Sequence, residues 1–157
     1  MAKIKLFLTD VDGVLTDAGM YYTELGDEFK KFNTRDGMGM KMLREAGIKV
    51  GIITTENTKI VERRAQKLKV DYLYQNAYPK VEAAMDACAK AGADIQETAY
   101  IGDDVNCLEL LSIVGLAACP ADAVARIKAI PGILEMSKKG GEGCVREFIE
   151  LILEKHL

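Results

Sequence analysis

Apolar residues follow two rhythms along this chain. Short, near-continuous runs recur at residues 4–9, 48–54, 72–74, 98–101 and 115–119, the pattern of strands covered on both faces. Between them, residues 37–46, 57–68, 79–91 and 106–114 repeat apolar side chains at helical spacing, which predicts amphipathic helices. Strands alternating with helices predict an α/β fold, a Rossmann-like three-layer sandwich whose mainly parallel sheet has about five strands joined by right-handed crossovers.

One segment breaks the alternation. Residues 20–24 and 28–33 flank Leu25-Gly26-Asp27 and predict a β-hairpin inserted after the first strand. A last helix is expected over residues 143–155, with Glu147, Glu150 and Glu154 on its solvated face. No repeat, low-complexity tract or linker interrupts the pattern, so residues 1–157 read as a single domain.

Composition narrows the function classes. With 49% hydrophobic and 29% charged residues and a net charge of -3, the chain offers no electrostatic attraction to nucleic acid. Its first apolar run is too short for a leader or a membrane span, so a cytoplasmic protein without membrane partners is expected. Cys88, Cys107, Cys119 and Cys144 lack metal-ligand spacing, and the single histidine is His156; the thiols read as reduced and packed.

Polar groups gather at the predicted strand ends: Asp10 and Asp12 after the first, Thr54 and Thr55 after the second, and Gly102-Asp103-Asp104 after the fourth, while Lys80 opens the helix after the third. In a parallel sheet these ends share one edge, where ligands bind. Carboxylates crowded there raise each other's pKa unless a cation neutralises them, and hard oxygen ligands suit Mg²⁺. A cation beside Thr54 and Lys80 makes a pocket for a phosphate dianion. One aspartate can attack phosphorus, and a second carboxyl two residues on can protonate the leaving oxygen and later activate water. Singly, each residue has a plainer reading: Asp12-Gly13 as a turn, Thr54 as a helix cap, Lys80 as a solvated lysine, Asp103-Asp104 as a helix start. Their joint occurrence favours the chemistry.

Asp-Val-Asp-Gly-Val-Leu-Thr at 10–16, Ile-Ile-Thr at 52–54, Lys80 and Gly-Asp-Asp at 102–104 resemble, in order, the four motifs of the haloacid dehalogenase superfamily of phosphatases. The resemblance implies Asp10 as nucleophile, Asp12 as general acid and base, and Thr54, Thr55 and Lys80 around the phosphate. It also implies Mg²⁺ held by Asp10, Asp103 and the Asp12 backbone carbonyl. The intervals between motifs leave no room for a cap domain. The hairpin, Lys-Phe-Asn-Thr-Arg-Asp-Gly at 31–37, Asp-Tyr-Leu at 71–73 and Gly-Gly-Glu-Gly-Cys-Val-Arg-Glu at 140–147 are similar to the capless subgroup. That subgroup acts on eight- or nine-carbon 2-keto-3-deoxy sugar acid phosphates, in lipopolysaccharide or sialic acid biosynthesis. It implies a homotetramer whose hairpins form a small barrel and whose neighbouring subunits cover each site.

Residues 53–58 read Ile-Thr-Thr-Glu-Asn-Thr, where octulosonate enzymes generally carry an arginine. Glu56 together with Lys67 therefore inclines the reading to a nine-carbon acid. Arg64 and the 140–143 loop are candidates for reaching a neighbour's site, and Arg35, Arg63 and Arg146 for meeting a substrate carboxylate. Thr55 in place of a glycine and Cys107 in place of a second acidic residue depart from the family pattern. Two other classes are less well matched. A phosphate-accepting receiver domain needs an aspartate where the third strand ends in Tyr74-Gln75. A non-catalytic partner of a sialic acid cytidylyltransferase has no use for both Asp10 and Asp12.

Overall fold

Leu6–Thr9, buried in all its residues, forms β1 at the centre of the sheet in a computed structural model that describes residues 3–156. The hairpin of β2 (Tyr21–Tyr22) and β3 (Glu28–Phe29) follows, then α1 (Thr34–Glu45), β4 (Lys49–Ile53), α2 (Lys59–Leu68), β5 (Tyr72–Tyr74) and α3 (Lys80–Ala91). The second half contains β6 (Thr98–Ile101), α4 (Leu108–Ile113), β7 (Leu116–Cys119), α5 (Ala125–Lys128), β8 (Leu134–Glu135) and α6 (Cys144–His156). Among the described residues the main sheet has six strands in the order β5-β4-β1-β6-β7-β8, every pairing parallel.

Strand periodicity divides the core between two layers. Phe7, Ala99 and Ile101 face a cluster with Met40, Val61 and Phe148 from α1, α2 and α6. Leu6, Leu8 and Tyr100 point the other way, towards Ala84, Leu110 and Ile127 from α3, α4 and α5. Two-residue alternation under helices on both sides is what a buried parallel sheet requires.

Capping chemistry moved the predicted boundaries. Asn33 accepts from the Arg35 backbone N–H and starts α1 at Thr34, ahead of the apolar repeat, while Thr58 caps α2 through the Val61 N–H, so that this helix starts at Lys59 and not at 57. The helix expected from 106 begins as a 3-10 turn at Val105–Cys107 and becomes α-helical at Leu108. The expected sheet of about five strands gains β8, whose two residues after Pro131-Gly132 are too few to show a period. Glu147 leaves the expected solvated face: its carboxylate accepts from the Ser137 and Lys138 backbone N–H groups at 3.0 and 3.1 Å.

The hairpin is antiparallel, with Tyr21 opposite Phe29, and its base is closed by a bridge from Thr16 to Phe32. Between Asp10 and Thr54 lie only this hairpin, α1 and β4, so no cap domain is present there. All four cysteines are free and buried, and among the described residues no helix is long and apolar enough to cross a membrane.

The α6 layer closes the core through Phe148, fully buried with its ring 5.9 Å from that of Phe7. Phe148→Ala is expected to cost about 3–5 kcal/mol, measured as a shift in the urea midpoint at unchanged slope. A loss well under 1 kcal/mol would show that α6 does not seal that layer.

Candidate active site

The carboxyl ends of β1, β4 and β6 meet where the chain order departs from the central strand in both directions, the place where open α/β sheets bind ligands. A cleft of about 430 Å³ opens there, lined by Asp10, Asp12, Thr54, Thr55, Glu56 and Asp103 among others.

Asp10 lies at its floor, 5% exposed. The Val11 N–H donates to its Oδ1 at 2.8 Å, Lys80 Nζ sits 2.7 Å from the same oxygen, and the Cys107 thiol donates to Oδ2 at 3.1 Å. Lys80 rises from the first turn of α3 and is 2% exposed; its Nζ also donates to the Tyr100 hydroxyl and to Cys107 Sγ, both at 3.4 Å. Burial pulls its pKa down, but Asp10 and Cys107 outweigh burial and the net shift is upward. Lys80 is therefore a fixed cation. Burial, then the Asp10 charge, pushes the Cys107 thiol up to about 12, so this sulfur acts as a neutral donor.

Asp103 closes the cluster. One of its carboxylate oxygens, one from Asp10 and Cys107 Sγ all lie within 4.8 Å of one another. Burial first, then the charges of Asp10 and Asp104, lift the Asp103 pKa to about 7. Gly13 permits the approach: its φ is +83°, and an added Cβ would lie 1.9 Å from Asp103 Oδ2. Gly13 is thus more than a turn residue, because its missing side chain leaves room for the second acidic loop.

Two carboxylates this close, one of them holding its proton too tightly, fit a hard divalent cation. Asp10 and Asp103 offer oxygens for it, while the protonated Cys107 serves as a hydrogen-bond donor. The Asp12 side chain turns elsewhere: its Oδ1 lies 2.7 Å from Lys30 Nζ, on a lysine 9% exposed in its side chain against 38% for the aspartate.

Thr54 is buried, and its Oγ1 accepts from the Glu56 N–H at 3.2 Å. Thr55 and the exposed Glu56 line the same cleft. Arg64 and Lys67 do not share it: both line a separate cavity of about 690 Å³ beside Thr34 and Met38. Arg64 lies over the Phe32 ring at 5.3 Å and donates to the Asn33 carbonyl. Within one chain, therefore, Glu56 and Lys67 are not brought together. The 140–143 loop packs behind its own chain's acidic loop, with the Gly141 N–H on the Val14 carbonyl at 3.1 Å and an ion pair between Glu142 and Lys31. Exposed Asp104 accepts from the Val105 N–H and caps the turn beside the cluster.

Two contributors escaped the sequence reading. Lys30 carries no motif and meets Asp12 across 18 positions; only the fold of the hairpin brings it there. Tyr100 reads as an ordinary strand residue, yet its hydroxyl donates to Cys107 Sγ at 3.2 Å beneath Asp10.

No protein-family model matches the chain, but individual relatives do. It is 37% identical over 155 residues to 3-deoxy-D-manno-octulosonate 8-phosphate phosphatase KdsC from Haemophilus influenzae, covering 98% of this chain and 85% of that one. The crystal structure of 3-deoxy-D-manno-octulosonate 8-phosphate phosphatase from Moraxella catarrhalis, in complex with a magnesium ion, a phosphate ion and KDO, superposes with a TM-score of 0.92 at 36% identity, over 97% of this chain and 87% of that one. A protein from Legionella pneumophila described as a hydrolase of the HAD superfamily, subfamily III A, superposes with a TM-score of 0.93 at 38% identity, over 97% and 83% of the two chains.

The raised pKa of Asp103 makes metal binding a stability effect with a definite sign. Its folded value, about 7, exceeds the ordinary 3.8, so the metal-free fold takes up a proton between these limits. The stabilisation this contributes is complete below 3.8 and is lost as pH rises through about 7. Mg²⁺ competes with that proton. Added Mg²⁺ should therefore raise the melting temperature more at pH 8 than at pH 5.5 in calorimetry, and equal gains would exclude Asp103 as a ligand.

Proposed function

The chain belongs to the 3-deoxy-D-manno-octulosonate 8-phosphate phosphatase family of the haloacid dehalogenase superfamily, and on that premise we propose that it hydrolyses the terminal phosphate of a 2-keto-3-deoxy sugar acid. The observation that carries this reading is the meeting of Asp10, Asp103, Thr54 and Asp12 in one cleft, with Lys80 buried beneath Asp10. Asp10, Asp103 and the Asp12 backbone carbonyl would hold Mg²⁺, which would supply positive charge to offset that of the phosphate oxygens.

An Asp10 oxygen attacks phosphorus while the ester P–O bond breaks and its electron pair leaves with the sugar oxygen. The Asp12 carboxyl gives that oxygen a proton, and alcohol departs. The resulting Asp12 carboxylate takes a proton from water, whose oxygen attacks the aspartyl phosphate and frees Asp10 with inorganic phosphate. Lys80, pinned to Asp10 Oδ1, offsets negative charge throughout. Thr54 and Thr55 face the phosphate from the end of β4.

Substrate length has two separate supports. The relatives' names favour the eight-carbon acid, whereas Glu56, which puts a negative charge at the cleft, favours a nine-carbon one. The buried free thiols suit a reducing, cytoplasmic setting. Phosphate release from octulosonate 8-phosphate and from ketodeoxynononate or sialic acid 9-phosphate, with and without Mg²⁺, tests the proposal. One of them should turn over only with Mg²⁺, Asp10→Asn should abolish release, and Glu56→Arg should shift preference towards the eight-carbon compound. Neglect of all three phosphates by the native enzyme would end this assignment.

The open cleft points to assembly as the missing cover. The hairpin exposes Met20 at 71%, Leu25 at 94% and Phe29 at 56%, a cluster suited to burial against other copies. In a homotetramer of that kind, the Arg64 and Lys67 cavity of one chain serves the neighbouring cleft. Leu25→Asp with Phe29→Asp should lower the mass seen by light scattering and slow the sugar substrate about tenfold or more, since a lost positioning contact costs that much or more. A native protein that already scatters as a monomer would overturn the shared-site reading.

A further inference from the structure

We infer that Lys30 positions the Asp12 carboxyl for proton transfer, so that the inserted hairpin takes part in the departure of the leaving group; this rests on the acid and base role proposed for Asp12. Each motif aspartate has its own lysine. Asp10 is held from below by Lys80 at 2.7 Å, and Asp12 from the hairpin side by Lys30, also at 2.7 Å.

The second pair is unlike an ordinary surface ion pair. The lysine is the more enclosed partner, 9% exposed in its side chain against 38% for Asp12, so its stem is committed to this place before the carboxylate is. Glu28 stands 3.8 Å from the same ammonium, so a second carboxylate, on the hairpin, faces Nζ. The turn carrying Asp12 joins the same unit. Gly13 N–H donates to Thr16 Oγ1 at 3.2 Å, and Thr16 is bridged to Phe32 at the base of the hairpin.

The consequence is geometric. An aspartate this exposed would sample several rotamers if left alone. Lys30 occupies Oδ1 and leaves Oδ2 for the leaving oxygen. Proton transfer depends on such placement, because the acid must sit within hydrogen-bond reach of the oxygen it protonates. The lysine touches no reacting atom and is a positioning residue.

Leaving-group chemistry separates this role from a structural one. A primary alkyl phosphate needs its departing oxygen protonated; p-nitrophenyl phosphate, which expels a stable phenolate, does not. The comparison uses kcat/KM, which covers events up to loss of the alcohol and is blind to the later hydrolysis of the aspartyl phosphate. Asp12→Asn should lower kcat/KM for the alkyl ester by about 10²–10⁴-fold, the usual worth of a general acid, and lower that for the aryl ester far less. Lys30→Met should lower the alkyl value by about tenfold or more with less than about a threefold change for the aryl ester, and Lys30→Arg should recover most of the loss. Circular dichroism and the melting temperature report that each variant is still folded, and Lys30→Gln is measured alongside in case the methionine variant does not fold. Equal losses on both esters in folded Lys30 variants, beside a selective loss in Asp12→Asn, would overturn the inference alone. A non-selective Asp12→Asn would overturn the acid and base role on which it rests.

Discussion

The structure depends on two like charges held close together. Asp10 follows the central strand and Asp103 the strand beside it, and parallel pairing of β1 with β6 brings both to one edge of the sheet. Two full negative charges at the 4.8 Å limit of that cluster would repel by about 3 kcal/mol at an effective dielectric of 20. The fold answers by placing the Lys80 ammonium on Asp10 and by leaving Asp103 with a raised proton affinity. A divalent cation would remove what remains of the conflict, so the arrangement that burdens the metal-free fold fits a binding site.

Burial then gives the two aspartates different settings. Asp10 sits on a dry bed of Lys80, Tyr100 and Cys107, each joined to another member by a hydrogen bond or ion pair. In so enclosed a site its orientation is fixed before substrate arrives. Asp12 lies two residues further on, past the strand end, half-exposed and tied to the hairpin through Lys30. The first setting suits the nucleophile proposed for Asp10 and the second the proton carrier proposed for Asp12. Cys107 fits this scheme as a neutral group: its sulfur adds a donor to Asp10 without adding a charge to a cluster already rich in carboxylates.

Close packing of loops supports the acidic loop from behind. Gly140 approaches the acidic loop so nearly that a Cβ there would fall 2.0 Å from the Gly13 carbonyl oxygen. The Gly141 N–H binds the Val14 carbonyl, and the Asn33 side-chain amide donates to the Gly141 carbonyl. The acidic loop is thus clamped between the hairpin base and the start of α6, rigid on its inner side and open on its outer side. That inner support, with the cleft open in front, is consistent with the shared-site assembly proposed above.

The sequence by itself determined the alternation of strands and helices and the inserted hairpin, because buried strands and amphipathic helices write their periods directly into the order of residues. It also determined which polar groups gather at the strand ends, since a parallel sheet sends every carboxyl end to one edge and Asp10, Asp12, Thr54 and Asp103 are legible there without coordinates. Short elements escaped: β8, of two residues, and α5, of four, are too short to repeat their periods, and caps at Asn33 and Thr58 moved helix starts that apolar spacing alone misplaced. Only the tertiary structure decided that Lys30 meets Asp12, that Cys107 donates to Asp10, and that Lys67 lies in a different cavity from Glu56. Each of these turns on where side chains distant in sequence come to rest, which packing sets and local pattern does not encode.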